Sequence, residues 1–135
     1  MTVTVYLDTS FLMLSAKFHI DVISETERLL RQTVAFVVPA AIVRELKALS
    51  RDGGGSGRDA RVALELIDGR NIRIVASDQD VDADNTLVKA SQLQKVLVAT
   101  ADNQLRKKIR AAKKPVIFFR EKAKLELEGI EAGYW

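Results

Sequence analysis

Apolar positions along this chain fall into two alternating kinds of run. Short stretches rich in β-branched and aromatic residues read as strands: VTVYL at 3 to 7, AFVV at 35 to 38, IRIV at 72 to 75, VLVA at 96 to 99 and VIFF at 116 to 119. Most are apolar throughout instead of alternating, the pattern of strands covered on both faces in a parallel sheet. Between them apolar residues recur at helical spacing: Val22, Ile23, Thr26, Leu29 and Leu30; Ile42, Leu46 and Leu49; Ala60, Ala63, Leu64 and Ile67; Leu87, Val88 and Ser91; Leu105, Ile109 and Ala112. Strand and helix alternate, so the fold class is α/β. RDGGGSGRD at 51 to 59 breaks the rhythm and reads as a mobile loop between two helices, either a plain surface connection or a flap over substrate. It is not a phosphate-cradling loop, which needs a lysine and a hydroxyl residue after the last glycine and a strand before it; here Arg58 and Asp59 follow Gly57, and a helix precedes.

Composition narrows the chemistry. A chain of 135 residues, 47% of them hydrophobic, suits one globular domain spanning 1 to 135. The absence of cysteine removes disulfides, thiolate nucleophiles and cysteine-ligated zinc, and a single histidine, His19, argues against a catalytic triad. His19 itself reads as a surface residue. Any catalysis must therefore run on oxygen ligands. No apolar run approaches the roughly 20 residues of a membrane helix, and the first residues lack the order of a signal peptide, so a soluble cytoplasmic protein is expected. The net charge of +3 permits an anionic partner without requiring one.

In open α/β sheets ligands sit beyond the carboxyl ends of the strands, where strand order reverses. Asp8 stands just past the first strand and Asp102 just past the fourth. If those strands are neighbours, spaced about 4.8 Å apart, both carboxylates come within reach of one cation. Helical phase adds Glu45, three residues after Ile42 and four before Leu49, and Asp84, three and four before Leu87 and Val88. Each acid also has an ordinary reading: Asp8, Asp84 and Asp102 as helix N-caps, Glu45 as a stripe-edge carboxylate reaching solvent. Jointly, four inward acids repel unless protons or metal compensate, and oxygen-only ligation suits magnesium or manganese. Such a centre can activate water and stabilise the leaving oxygen in phosphodiester hydrolysis. Thr9, Ser10 and Thr100 are placed either to fix carboxylate rotamers or to cap helices. Asp78, Asp80 and Asp82 line a solvated loop, with Asp82 the best placed to assist.

LRKKIRAAKK at 105 to 114 is the most basic stretch, and helical phase puts Arg106, Arg110, Lys113 and Lys114 on one face with Lys107 beside it. This face either is merely solvated or carries a substrate's phosphates past the acids, with the basic segment at 44 to 50 and Arg58 and Arg61 extending the track. Tyr134 and Trp135 read as a loose tail, or as a surface that stacks on a base or a second copy.

On LDTSF around Asp8, VRELKAL around Glu45, ADNTLVKAS around Asp84 and ATADNQLRKKIR around Asp102, the chain resembles the PIN-domain family, and in particular the PIN endonucleases of ribosomal RNA processing. It departs from that branch in having Asp84 followed by Asn85 where paired aspartates are usual. The resemblance implies a three-layer α/β/α domain with a five-stranded parallel sheet of order 3-2-1-4-5. It also implies magnesium- or manganese-dependent RNA cleavage, metal-binding roles for Asp8, Glu45, Asp84 and Asp102, and a homodimer. The alternatives are a toxin-type PIN ribonuclease held by an antitoxin, a non-catalytic RNA-binding domain within a ribonucleoprotein, and a phosphoacceptor receiver domain using Asp78.

Overall fold

A computed structural model describes residues 2 to 78, 80 to 121 and 124 to 130. Strand β1 (Val3–Leu7) pairs in parallel with β2 (Val34–Pro39) on one side and β4 (Val96–Ala99) on the other. Outward from β2 lies β3 (Arg73–Val75), and outward from β4 lies β5 (Val116–Arg120), both parallel. The parallel order 3-2-1-4-5 matches expectation, and a strand that the sequence pattern did not yield, β6 (Lys124–Glu128), pairs antiparallel with β5 at the edge. In KLELE, Leu125 is buried and Leu127 packs on the core, while the charged positions keep the composition hydrophilic. The alternation was the available signal, and the charge content masked it.

Order reversal at β1 divides the helices between two faces. α1 (Thr9–Lys17) and α2 (Val22–Leu30) link β1 to β2, and α3 (Ala40–Leu49) and α4 (Gly55–Gly69) link β2 to β3. α5 (Ala83–Ser91) and α6 (Asn103–Ala111) carry the chain back past β1 to β4 and β5. Right-handed crossovers running in opposite directions place these two sets on opposite faces. The core centres on Val3, Val5 and Leu7 of β1, all buried, with Phe36, Ile42, Leu46, Leu97 and Ile117. Phe11 of α1 stacks on Phe119 of β5 with centroids 4.8 Å apart. The other face is covered less fully than the apolar strands predict: Thr4 and Tyr6 are half-buried and Ala35 is exposed. In α1 the buried stripe of Phe11, Leu12, Ser15 and Ala16 is masked in the sequence because Met13 and Leu14, on the half-buried side, are apolar as well.

The glycine run is not a loop throughout. Only 51 to 54 turn, and Gly55 to Asp59 already belong to α4. At Gly57 the reason is steric: a Cβ there would overlap the Asp52 carbonyl, so the chain folds back on itself only without a side chain. Gly55 meets nothing. Gly57→Ala is therefore expected to destabilise the fold by about 1–3 kcal/mol despite its better helix propensity, while Gly55→Ala is neutral or stabilising by up to about 1 kcal/mol. Urea melts of the two variants check this, and equal midpoints would refute it.

Candidate active site

Pairing of Leu7 with Ala99 sets Asp8 opposite Thr100 at the carboxyl edge of the sheet. Asp8 is buried at 5% exposure and holds three donors. Its Oδ1 accepts from the Thr9 amide (2.8 Å), and its Oδ2 accepts from the hydroxyls of Ser10 (2.7 Å) and Thr100 (2.7 Å). Asp8 is thus both the N-cap of α1 and the hub of a cross-strand network. The network continues as Ser10 Oγ accepts from the Ala101 amide at 3.0 Å and Thr100 Oγ1 from the Asp102 amide at 3.0 Å. Burial pushes the Asp8 carboxyl above its ordinary value; the hydrogen bonds oppose that shift, and the charge of Glu45 adds to it.

The other acids surround this hub. Asp102 caps α6 by accepting from the Gln104 amide at 2.8 Å. Asp84 does not cap α5, as the sequence allowed; Asp82 does, accepting from the Asn85 amide at 2.8 Å and the Asn85 side chain at 3.2 Å. That leaves Asp84 half-buried in the first turn, where burial first, then the charges of Asp8 and Asp102, raise its carboxyl, against a lowering by Lys108. Glu45 departs from the expected inward stripe. It is exposed and connects to the site sideways, accepting from the Thr9 hydroxyl at 2.5 Å. Its position is one step off the buried line of Ile42, Val43 and Leu46, which the i+3 spacing alone did not separate.

The basic helix also differs from its sequence reading. α6 ends at Ala111, and Lys113 lies beyond it in the left-handed region at φ 62, so Lys113 and Lys114 do not continue the face of Arg106 and Arg110. Arg106 is committed to Glu128 of β6 through Nε (3.0 Å) and Nη2 (3.1 Å), and its guanidinium lies 3.6 Å from the Phe118 ring centroid. Arg110 donates to the Lys114 carbonyl at 3.0 Å and lies 3.8 Å from the Glu128 carboxylate. These two arginines hold the β5–β6 edge against α6, and the hydrogen bonds from Arg106, with the charges of Arg106 and Arg110, depress the Glu128 carboxyl below its ordinary value. The strand ends at Gly129, whose φ of 107 and close approach to Arg110 and Pro115 leave no room for a side chain. Lys107 and Lys108 are exposed, and Lys108, absent from the expected set, is the base that acts on Asp84. Arg58 is exposed, and Arg61 donates to the Ser50 carbonyl at 2.8 Å. His19 and Asp78 are exposed, the latter accepting from the Asp80 amide at 3.0 Å. Tyr134 and Trp135 lie outside the described residues.

The donor set suits a hard divalent cation. It consists of carboxylate and hydroxyl oxygens, and Asp8 and Asp84 both carry raised carboxyl pKa values that a nearby cation would bring down. Among the described residues no three carboxylates or imidazoles converge as a ready-made cage.

Both raised acids are less favourable ionised in the folded than in the unfolded chain. Their cost to stability is full above the folded pKa, falls as pH drops through it, and is gone below the unfolded value. Asp84→Asn should therefore raise the metal-free melting temperature by a few degrees at pH 7 and reduce the gain on acidification toward pH 4. Thermal melts across that range check it; a lower melting temperature at pH 7 would contradict the assigned repulsion. Arg106→Lys cannot reproduce the two-pronged contact or the ring stacking and should cost about 1 kcal/mol, whereas Lys107→Ala should stay within about 0.5 kcal/mol of the parent. Denaturant midpoints compare the two, and equal losses would place Arg106 among the solvated bases.

Similarities to known proteins bear on what this arrangement is. Residues 5 to 122 match the family model described as a PIN-like domain. The chain is 32% identical over 125 residues to Ribonuclease VapC4 of Methanocaldococcus jannaschii, covering 91% of this chain and 95% of that protein. In structure it is similar to the PIN domain endonuclease Utp24, with a TM-score of 0.78 at 22% identity, covering 95% of this chain and 92% of that one. It is also similar to a domain of a functionally unknown Methanocaldococcus jannaschii protein, with a TM-score of 0.60 at 17% identity over 95% of this chain and 98% of the other. The chain belongs to the PIN-like domain family, a family of nuclease domains, and its acids stand at the sheet edge where strand order reverses.

Proposed function

We propose that this chain is a single-domain, metal-dependent endoribonuclease in which Asp8, Glu45, Asp84 and Asp102 hold one or two Mg2+ or Mn2+ ions. The observation that carries the reading is the buried Asp8 carboxylate at the carboxyl edge of the sheet, with Asp84 near enough that the charges of Asp8 and Asp102 both raise its carboxyl, a concentration of negative charge that a cation would relieve. A divalent ion held there supplies the activation of water and the charge neutralisation that phosphodiester hydrolysis needs. Ser10 and Thr100 orient Asp8, the Thr9 hydroxyl orients Glu45, and Asp82 fixes the start of the helix that carries Asp84. Lys107 and Lys108, exposed on the helix that Asp102 caps, draw the phosphate backbone toward the acids, with Lys113 and Lys114 farther along. No side chain need act as nucleophile.

RNA as substrate is supported by the similarity to Ribonuclease VapC4. Ribosomal precursor RNA is the narrower proposal, on the pattern of LDT, an acidic helix and T-x-D before a basic helix. That similarity to a VapC ribonuclease also supports a second reading, a toxin-type enzyme held by an antitoxin, which would reveal itself as a small co-purifying protein. A homodimer acting in the cytoplasm accords with either; among the described residues no helix is long and apolar enough to cross a membrane.

Incubation of end-labelled single-stranded and structured RNA with the protein in manganese should give internal cuts that a chelator abolishes. Asp102→Asn should slow them by more than about 100-fold, since changes behind a metal ligand alone cost 10–100-fold. Equal inertness of parent and variant, with RNA still bound, would favour a binding module over a nuclease.

A further inference from the structure

A cavity adjoins the acids. It measures about 620 Å³ and opens between α1 and the start of α4, lined by Ser10, Met13, Leu14 and Lys17 on one side, by Gly55, Ser56 and Asp59 on the other, and by Ala101. Helical spacing makes each wall a single stripe: 10, 13, 14 and 17 share a face of α1, and 55, 56 and 59 one of α4. The cavity is continuous with the acidic site, because the Ser10 hydroxyl that lines it also donates to Asp8, and Ala101 immediately precedes Asp102. Its size lies within the range of small-ligand sites.

Two features say what would enter. Met13 and Leu14, both half-buried, give an apolar wall, and a thioether makes favourable contact with flat aromatic rings. Asp59, also half-buried, has no hydrogen-bond or ion-pair partner among the described residues. An ionised carboxylate only accepts, so a ligand that engages Asp59 must bring donors. A nucleobase from a strand crossing the neighbouring acids meets both demands, as single-stranded RNA is read by splayed bases through their Watson–Crick edges. Of the four bases, guanine alone presents two adjacent donors there, N1–H and the N2 amino group. Adenine and cytosine place an acceptor beside their amino group, and uracil flanks its N–H with two carbonyls.

We propose that this cavity is a guanine-selective pocket for a nucleotide beside the cleaved bond, with Asp59 accepting from N1–H and N2–H and with Met13 and Leu14 covering the face of the ring. Lys17 at the rim supplies positive charge to the phosphate of the same strand. The proposal rests on RNA being the substrate of the adjoining acids, and its test separates the two claims.

Binding is measured without divalent metal, so that cleavage plays no part, by fluorescence anisotropy of labelled hexauridylate and of the same strand with one internal guanosine. The guanosine strand should bind about tenfold more tightly, within the range that a bidentate pair discriminates. Replacing guanosine by inosine, which lacks the N2 amino group, should remove most of that gain in the unaltered protein. Asp59→Asn and Asp59→Ala, with unchanged melting temperatures, should bring the two strands to within about twofold. In manganese, sequencing of the ends cut from a randomised RNA should show guanine enriched at one fixed position, and Asp59→Asn should lose it. Equal affinities for the strands, full retention of the gain by inosine, or a preference unaltered in both Asp59 variants would overturn the pocket. So would equal affinities together with displacement of RNA by a short arginine-containing peptide, which offers the same paired donors and would point to a protein occupant. Absence of cleavage with the guanosine preference intact would instead count against the nuclease reading alone.

Discussion

The carboxylate of Asp8, buried at the carboxyl end of the central strand, is the contact on which the geometry of the acidic site depends. Two of its donors, the Thr9 amide and the Ser10 hydroxyl, belong to the start of α1 and the third, the Thr100 hydroxyl, immediately follows β4, so one side chain ties the first helix to the end of the neighbouring strand across the order reversal. Hydrogen bonds to an ionised acceptor are about twice as strong as neutral ones, which offsets the cost of taking the charge out of water. Burial nevertheless wins over those bonds, since the carboxyl stays raised. The site therefore holds negative charge in an unfavourable place, with Asp84 and Asp102 adding to it. Any cation bound there relieves a cost already present in the fold.

Charge on the opposite sign is partitioned by the last strand. Glu128 engages Arg106 and Arg110, and Phe118 takes the face of the Arg106 guanidinium, so two of the most basic residues of α6 serve the edge of the sheet. The bases left in solvent on that helix include Lys107 and Lys108, the latter near enough to act on Asp84. An arginine fork matched to a carboxylate is a structural device here, and lysine point charges on a mobile stem remain for a phosphate backbone. The distribution separates cations that hold the fold from cations available to a ligand.

Legibility varied with how local the cause was. The five parallel strands were readable because each is a short apolar run bounded by polar residues, and their ends fixed which acids lie at the carboxyl edge. Asp8, Thr100 and Asp102 were placed correctly by that argument alone. Helical phase served less well at Glu45, where a single position around the helix separates the buried line from solvent. Choosing between Asp82 and Asp84 as the cap of α5 required the backbone at Asp82, which is extended while Asp84 is already helical. The glycines at 55 and 57 read as a loop because propensity counts their entropy and ignores the close approach to Asp52 that fixes Gly57.

The sequence by itself determined the alternation of strands and helices, the restriction to oxygen ligands and the set of acids near strand and helix ends. Those follow from hydrophobic periodicity and residue chemistry, which act over a few neighbours. Tertiary structure decided what each charged group meets: that Asp8 faces Thr100, that Asp84 feels Asp8 and Asp102, that Glu128 occupies the arginines and that Asp59 is left without a partner beside an apolar wall. Such encounters join residues up to 92 positions apart in the chain, and only strand register and helix packing bring them together.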